Sequence, residues 1–526
     1  MKVLITDGVD PQCAEILARN GFQVTEKPKI SKEELKEIIG EFDKLIVRSA
    51  TKVTSEIIEC GKNLKLIGRA GAGVDNIDIE AATRHGIIVM NTPGGNTVSA
   101  AEHACGMLMA AARMIPQATA ELKAGLWNKK KFTGIELEGK TISIIGLGKI
   151  GREVASRMQA FGMKTIAYDP MIPDEYAAHL HIELLPLHEN FSRADVITIH
   201  SSLNESTRNL ISNETFALMK DGVIIVNCAR GGIVNEADLA DAIVSGKVAA
   251  AALDVFESEP VNPDNPLLKL ERVIVTPHIA ASTNEAQQKV AVQIAEQIVD
   301  WKQKGKLEGA VNASAVELAQ APGVSAYLML AEKLGSTLAQ ITPLEAHTMT
   351  IRTSGEYLQK FSEVIAAAAL KGFLDVRQSS DTNYINVFTM AAEMGITLEQ
   401  KFEKENPDYT NLIRVELENG TKKRMIGGTV FGDKAIRIVM IDQFLVEFKP
   451  EGNIIIYNNI DKPGVIANVT QHLLQHNLNV AYVALSRDED KLLAMTAIVV
   501  DSKVDPSLLD EIKLVDGVSE AAVVSI

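Results

Sequence analysis

At 526 residues the chain has room for three or four domains, and a composition 46% hydrophobic and 23% charged is that of an ordinary globular protein with ample core. The formal net charge of −15 argues against sequence-independent binding to nucleic acid or to an anionic membrane, so positive charge that handles an anion must be gathered locally. Asp7 interrupts any signal-peptide core, apolar runs fall short of the ~18 residues of a membrane span, and Cys13, Cys60, Cys105 and Cys228 form no CxxC pair, which together predict a reduced cytoplasmic protein without disulfides or a metal centre.

Residues 1–98 alternate strand-like stretches (3–6, 45–47, 66–67 and 87–90) with helix-like ones such as 11–20 and 31–39. That alternation predicts a parallel sheet covered by helices. Residues 99–113 are nearly all small or apolar and read as a buried helix joining two lobes. The stretch 134–141, GIELEGKT, formally fits the phosphate-loop pattern GxxxxGK[ST]. A working loop of that kind follows a strand and opens a helix. This one precedes a strand, and Glu136 and Glu138 would repel phosphate, so triphosphate binding is set aside.

The β-branched run 141–145 leads into Gly146, Leu147, Gly148, Lys149, Ile150 and Gly151, followed by a helix-like stretch at 152–161 and a strand at 164–168 that ends at Asp169. A dinucleotide-binding βαβ unit has this order. Gly146 permits the tight turn, Gly148 lets the pyrophosphate approach the backbone, and Gly151 allows close packing of helix on strand. The phosphates then face the helix N-terminus. Asp169, eighteen residues beyond Gly151, can accept hydrogen bonds from a ribose and would repel a 2′-phosphate, which favours NAD over NADP.

Further strands at 196–200, 223–227, 251–254 and 273–276 predict a second doubly wound sheet, and the helix at 284–302 is expected to return to the first lobe. The texture changes after about residue 312, and 333–442 holds several glycine turns without a recognisable site. The last segment runs as βαββαβ through 454–458, 464–475, 480–486, 492–500, 507–514 and 520–525, which is a ferredoxin-like order. The fold class is therefore α/β: a flavodoxin-like lobe (1–98 with 285–311), a Rossmann-type nucleotide-binding lobe (99–284), an α+β domain (312–452) and a ferredoxin-like domain (453–526).

The blocks VRSATKVT (47–54), GRAGAGVDN (68–76), MNTPGGNTVSAAEHA (90–104), GLGKIGREVA (146–155), NCARGGIVNE (227–236), ALDVFESEP (252–260) and TPHIAAST (276–283) occur in this order. In these the chain resembles the D-isomer-specific 2-hydroxyacid dehydrogenases and, over its whole length, their long phosphoglycerate-oxidising branch. The resemblance implies oxidation of D-3-phosphoglycerate by NAD, with Arg230, Glu259 and His278 as the catalytic set. Chemistry agrees with that assignment. An imidazole near neutral pKa can take the hydroxyl proton of a 2-hydroxy acid while hydride leaves its carbon. Glu259 would fix the tautomer, and Arg230 offers a planar fork to the carboxylate.

The resemblance further implies cofactor contacts from Lys149, Ile150, Asp169, Ser201, Cys228, Ala229, Arg230, Asp254, His278, Ile279, Ala280 and Ala281, beside the three glycines. It places the substrate phosphate against Arg48 and the loops that hold Arg69, Gly71, Ala72, Gly73 and Asn96. Lys129, in an arm-like segment between Gly125 and Gly139, matches a residue that reaches a neighbouring subunit in similar enzymes, which implies a homo-oligomer, dimer or tetramer. The last domain resembles an ACT module, with Asn459, Asp461 and Asn479 as the expected L-serine contacts. The middle domain resembles the intervening regulatory domain of the long enzymes. Rival readings are a glyoxylate or hydroxypyruvate reductase and a non-catalytic NAD-responsive scaffold.

Overall fold

The computed structural model describes residues 1–342, 347–378, 382–420, 423–488 and 492–526. The strands Gln23–Lys27, Lys2–Thr6, Lys44–Val47, Leu66–Arg69 and Ile88–Met90 lie side by side in that order, all parallel. This is the flavodoxin-like order, which requires helices on both faces. The strand Lys44–Val47 is accordingly buried at every position. Gln23–Lys27 escaped the sequence reading because it is an edge strand with polar, largely exposed side chains and no apolar run.

The helix Asn284–Lys304 returns to this lobe. Its Val290, Ala291, Ile294, Ala295 and Ile298 share a core with Val3, Ile5, Ile46 and Leu66. A Cβ at position 68 would stand 3.0 Å from Ile294, so the glycine there sets how closely the helix approaches. Asn312 continues the closure, its Oδ1 accepting from the Val89 N–H at 2.8 Å and its Nδ2 donating to the Ile87 carbonyl at 2.9 Å.

The second sheet is again all parallel, in the order Val273–Val275, Val248–Leu253, Val223–Asn227, Val196–Ile199, Thr141–Ile145, Lys164–Tyr168, Glu183–Leu184. The direction of winding reverses between Thr141–Ile145 and Val196–Ile199, and ligands of open α/β sheets bind at such a reversal. The helices Thr97–Arg113 and Lys149–Ala160 bury Ala101, Ala104, Leu108, Val154 and Met158 against Ile142, Ile144 and Val226.

A six-stranded sheet follows, in the order Thr397–Glu403, Thr348–Ser354, Leu412–Glu418, Lys423–Phe431, Ala435–Ile441, Phe444–Phe448. Its first pair is parallel and the rest antiparallel, and the helices Ser325–Ile341 and Ser362–Arg377 pack on it. The final sheet, in the order Val480–Arg487, Leu493–Val500, Asn453–Ile460, Val518–Ser525, is antiparallel. One face carries the helices Val465–Gln475 and Pro506–Lys513. The other, through Ile454, Ile456, Met495, Ala497 and Val524, joins the core of the preceding domain. Among the described residues, no helix is long and apolar enough to cross a membrane.

Candidate active site

Every candidate residue of the two lobes except Lys129 follows or ends a parallel strand, or sits on the loop or helix that the strand feeds. The glycine-rich turn after Thr141–Ile145 shows three different needs. Gly146 has φ +95°, and a Cβ there would lie 2.8–2.9 Å from the backbone of His200 and Ser201. A Cβ on Gly151 would lie 2.2 Å from the Gly146 carbonyl oxygen. On Gly148 it would meet nothing within 4 Å, so the space in front of that backbone is open to a ligand. The helix begins at Lys149, three residues earlier than the sequence suggested, because Gly148 serves as its N-cap and the glycines mask its first turn.

Asp169 secures the turn from the next strand, its Oδ2 accepting from the Leu147 N–H at 2.8 Å and its Oδ1 from the Met171 N–H at 2.9 Å. Ile150 packs its side chain against the lobe core. Lys149 instead reaches the other lobe, where Nζ donates to the Pro93 carbonyl at 3.2 Å. Across the sheet reversal, the Ser201 hydroxyl is buried and has no hydrogen-bond partner among the described residues. The Ala229 N–H is held by Asn227 Oδ1 at 3.0 Å, and burial pushes the neighbouring Cys228 thiol well up in pKa, so it stays protonated.

His278 and Glu259 meet, with Nδ1 2.7 Å from Oε2. A carboxylate only accepts, so Nδ1 carries the proton and Nε2 is left for chemistry. The bond to Glu259 raises the His278 pKa above its usual value against the opposing effect of burial. Burial pushes Glu259 up, but the bonds from His278 and from the Phe256 N–H prevail and hold it below the usual carboxylate range. His278 has φ +53°, a conformation that few residues with a side chain adopt.

Buried Asp254 holds that turn. Its backbone carbonyl accepts from the His278 N–H at 2.8 Å, and its carboxylate accepts from the N–H groups of Ile279 and Ala280, both at 2.9 Å. Thr276 Oγ1 at 2.5 Å and His103 Nε2 at 3.3 Å complete the shell. Burial opposes ionisation of Asp254, but the bonds outweigh it and keep the carboxyl below its usual range. Ala281 follows on the way to the helix Asn284–Lys304.

Positive charge gathers on the facing lobe. Arg48 is fixed by its N–H on Asp7 Oδ2 at 2.9 Å and by its carbonyl, which accepts from Asn76 Nδ2 at 2.7 Å. Its guanidinium reaches Gln287 Oε1 at 3.5 Å. Arg69 donates to Asn76 Oδ1 at 2.9 Å, and burial, with help from the nearby charges of Arg230 and Arg48, lowers its pKa to about 10. Arg230 comes across from the other lobe, its Nε donating to Asp75 Oδ2 at 3.1 Å. The intervening loops are braced, as the Gly71 carbonyl accepts from the Thr92 N–H at 3.1 Å and the Ala72 carbonyl from Asn91 Nδ2 at 2.6 Å. Gly73 leaves room for this approach, since a Cβ there would stand 2.1 Å from Arg230 Nη2 and the guanidinium would have to shift. Asn96 lies at the start of the helix Thr97–Arg113, its carbonyl accepting from the Ala100 N–H at 3.0 Å.

The family model for the NAD-binding domain of D-isomer specific 2-hydroxyacid dehydrogenases matches residues 105–280. The model for the D-3-phosphoglycerate dehydrogenase intervening domain matches 323–442, and the ACT model matches 453–514. The D-3-phosphoglycerate dehydrogenase of Archaeoglobus fulgidus is 43% identical over 100% of both chains. The chain belongs to the D-3-phosphoglycerate dehydrogenase family. The enzyme of the same name from Methanocaldococcus jannaschii is 41% identical, again over 100% of both chains. A solved NAD-dependent formate dehydrogenase from Staphylococcus aureus, in complex with NAD, is 30% identical with a TM-score of 0.52, covering 58% of this chain and 96% of that one.

As a member of this family the chain is an NAD-dependent dehydrogenase, and its second lobe suits the cofactor. The open backbone at Gly148, the first turn of the helix Lys149–Ala160, the Asp169 carboxylate and the buried Ser201 hydroxyl lie around one sheet reversal. Sequence reasoning did not single out Asp75, Asn76, His103 or Gln287. Asp75, Asn76 and His103 stand inside the quoted blocks, but residue type alone gave no reason to choose them; Gln287 lies outside those blocks, on the helix Asn284–Lys304.

The remaining candidates lie away from this cleft's central residues. Lys129 is exposed on the short turn Lys129–Phe132, while its neighbour Lys131 is tied to Glu121 and Glu271. In the ACT domain, Asn459 is buried and donates to the Ile460 carbonyl at 2.7 Å, and its Oδ1 has no partner among the described residues. Asp461 pairs with Arg487 at 3.0 Å, and Asn479 donates to Asp501 at 2.5 Å.

Proposed function

We propose that the chain oxidises D-3-phosphoglycerate to 3-phosphohydroxypyruvate, the entry to phosphorylated L-serine synthesis, with L-serine acting back through the ACT domain. The carrying observation is the gathering of Arg48 and Arg230 around Arg69, with Arg230 also near enough to act on His278 of the His278–Glu259 pair, in a protein whose net charge is −15. An anion with a charge at each end suits that arrangement, and a small unphosphorylated acid has no use for Arg48.

Arg230 takes the substrate carboxylate, and Arg48 with the 69–74 and 91–96 loops takes the phosphate. His278 Nε2 removes the hydroxyl proton, and Glu259 stabilises the imidazolium that results. Bound at Gly146–Gly151, with Asp169 on its ribose and Ser201, Cys228, Ala229 and residues 278–281 around it, NAD supplies the hydride acceptor. Cleft closure excludes water from the hydride path. The exposed arm around Lys129 supports assembly with a second copy. Asn459, Asp461 and Asn479 are the proposed L-serine contacts.

NADH oxidation with 3-phosphohydroxypyruvate, with hydroxypyruvate as control and L-serine titrated in, tests this reading. Strong preference for the phosphorylated acid and inhibition by serine are expected. Equal use of hydroxypyruvate moves the chain to the general 2-hydroxyacid reductases, and no turnover with either revives the scaffold reading.

A further inference from the structure

Arg230 already has a carboxylate partner within the chain. Its Nη1 donates to the Ala229 carbonyl at 2.7 Å, which leaves the edge formed by Nε and Nη2 to seat a carboxylate with two parallel bonds while that contact is kept. Asp75 sits on that edge, its Oδ2 accepting from Nε at 3.1 Å. The two residues are 155 positions apart and belong to different lobes, so the pair spans the cleft. Gly73 makes the approach feasible, since a Cβ there would lie 2.1 Å from Arg230 Nη2 and 2.8 Å from Asp75 Oδ2.

Asp75 is not buried for structural reasons. Its side chain is 67% exposed, against 31% for Arg230, so it can leave the guanidinium without opening a core. It also has a second host, since its charge acts favourably on the Arg69 guanidinium nearby.

We propose that Asp75 is an internal competitor, whose carboxylate and that of the substrate seek the same edge of Arg230, so that Asp75 sets the affinity of the cleft for 2-hydroxy and 2-oxo acids. This rests on the proposed seating of the substrate carboxylate on Arg230. Binding then exchanges one carboxylate for another on Arg230 and transfers Asp75 toward Arg69. The pair has the exposure of a surface ion pair, so the competition is worth about two- to fivefold in affinity.

Calorimetric titration of oxalate into the full-length protein saturated with NADH tests the exchange. Asp75→Asn, close in shape but uncharged, is expected to bind oxalate about two- to fivefold more tightly than the parent, and Asp75→Glu to return to parental affinity. Unchanged or weaker binding by Asp75→Asn overturns the proposal, because Asp75 would then orient Arg230 rather than compete for it. Arg230→Ala separates the two levels. If it abolishes oxalate binding while Asp75→Asn gains nothing, the competitor idea fails and the carboxylate seat stands. If Arg230→Ala binds oxalate as the parent does, the seat itself is wrong and both readings fall.

Discussion

His278 exchanges its proton at a pH that Glu259 sets. The carboxylate raises the imidazole pKa, so with His278 as the proposed base, which must be neutral in the oxidative direction, activity is expected to be lost as pH falls through that raised value. Glu259→Gln removes the charge and keeps the shape. The acid limb of kcat/KM for oxidation is then expected to move to lower pH. The alkaline loss in the reductive direction, which needs the imidazolium, is expected to move the same way. The plateau rate is expected to fall by about 10²–10⁴, the usual worth of a positioned acid or base. Profiles in both directions check this, and a limb that stays in place removes Glu259 as the partner that tunes His278. Arg48 calls for a different measurement. Arg48→Ala deletes the proposed charge-assisted contact to the phosphate, worth about 1.5–3 kcal/mol, so KM for the phosphorylated substrate is expected to rise by about ten- to a hundredfold. An equal rise with hydroxypyruvate would deny Arg48 the phosphate.

At the scale of elements, the glycine-rich turn separates folding from cofactor binding. Gly148 has φ −68°, and a methyl added there would meet nothing within 4 Å, so Gly148→Ala is expected to leave stability unchanged or raise it by up to about 1 kcal/mol. The same methyl intrudes where the pyrophosphate is expected, and NAD affinity should drop about tenfold or more, from about 1–3 kcal/mol of overlap. Gly151→Ala drives a Cβ to 2.2 Å from the Gly146 carbonyl, and is expected to lose about 1–3 kcal/mol of stability as well as cofactor affinity. Melting temperature and NAD titration on the two variants read the difference. This turn was legible in the sequence because its strand, glycines and Asp169 are local and regularly spaced. The six-stranded sheet of the middle domain was not, since its pairing of Thr348–Ser354 with Thr397–Glu403 is set by distant contacts rather than by a local pattern. Asp75 and His103 stayed hidden for a related reason, as each acquires its partner only when remote segments meet.

At the scale of the whole molecule, the regulatory half joins the lobes lightly and itself tightly. Toward the first lobe it offers the exposed Arg84–Glu393 pair at 2.7 Å, an Asn383 bond to the Gly86 carbonyl at 3.4 Å, and Ile385 at the core edge. An exposed pair of that kind contributes about 0–1 kcal/mol. Between the last two domains the bonding is of another order. Ile454, Ile456, Met495, Ala497 and Val524 share one core with Leu330, Leu334, Val446 and Phe448. Around it Arg424 binds Glu520 at 2.8 Å, and the Ser525 N–H donates to Gln340 Oε1 at 2.9 Å. Uncovering even four or five such side chains costs about 1.5–3 kcal/mol each, comparable with the ~5–15 kcal/mol that holds a whole domain. Truncation is therefore expected to be tolerated out of order. A chain ending at Leu318 keeps Asn312 and both lobes, and is expected to be soluble, to turn over, and to ignore L-serine. A chain ending at Pro450 keeps more sequence but bares that shared core, and is expected to melt earlier and aggregate. Solubility, melting temperature and NADH oxidation on the two chains decide it, and a well-behaved longer chain would mean that the ACT domain is an independent attachment rather than half of a single regulatory body.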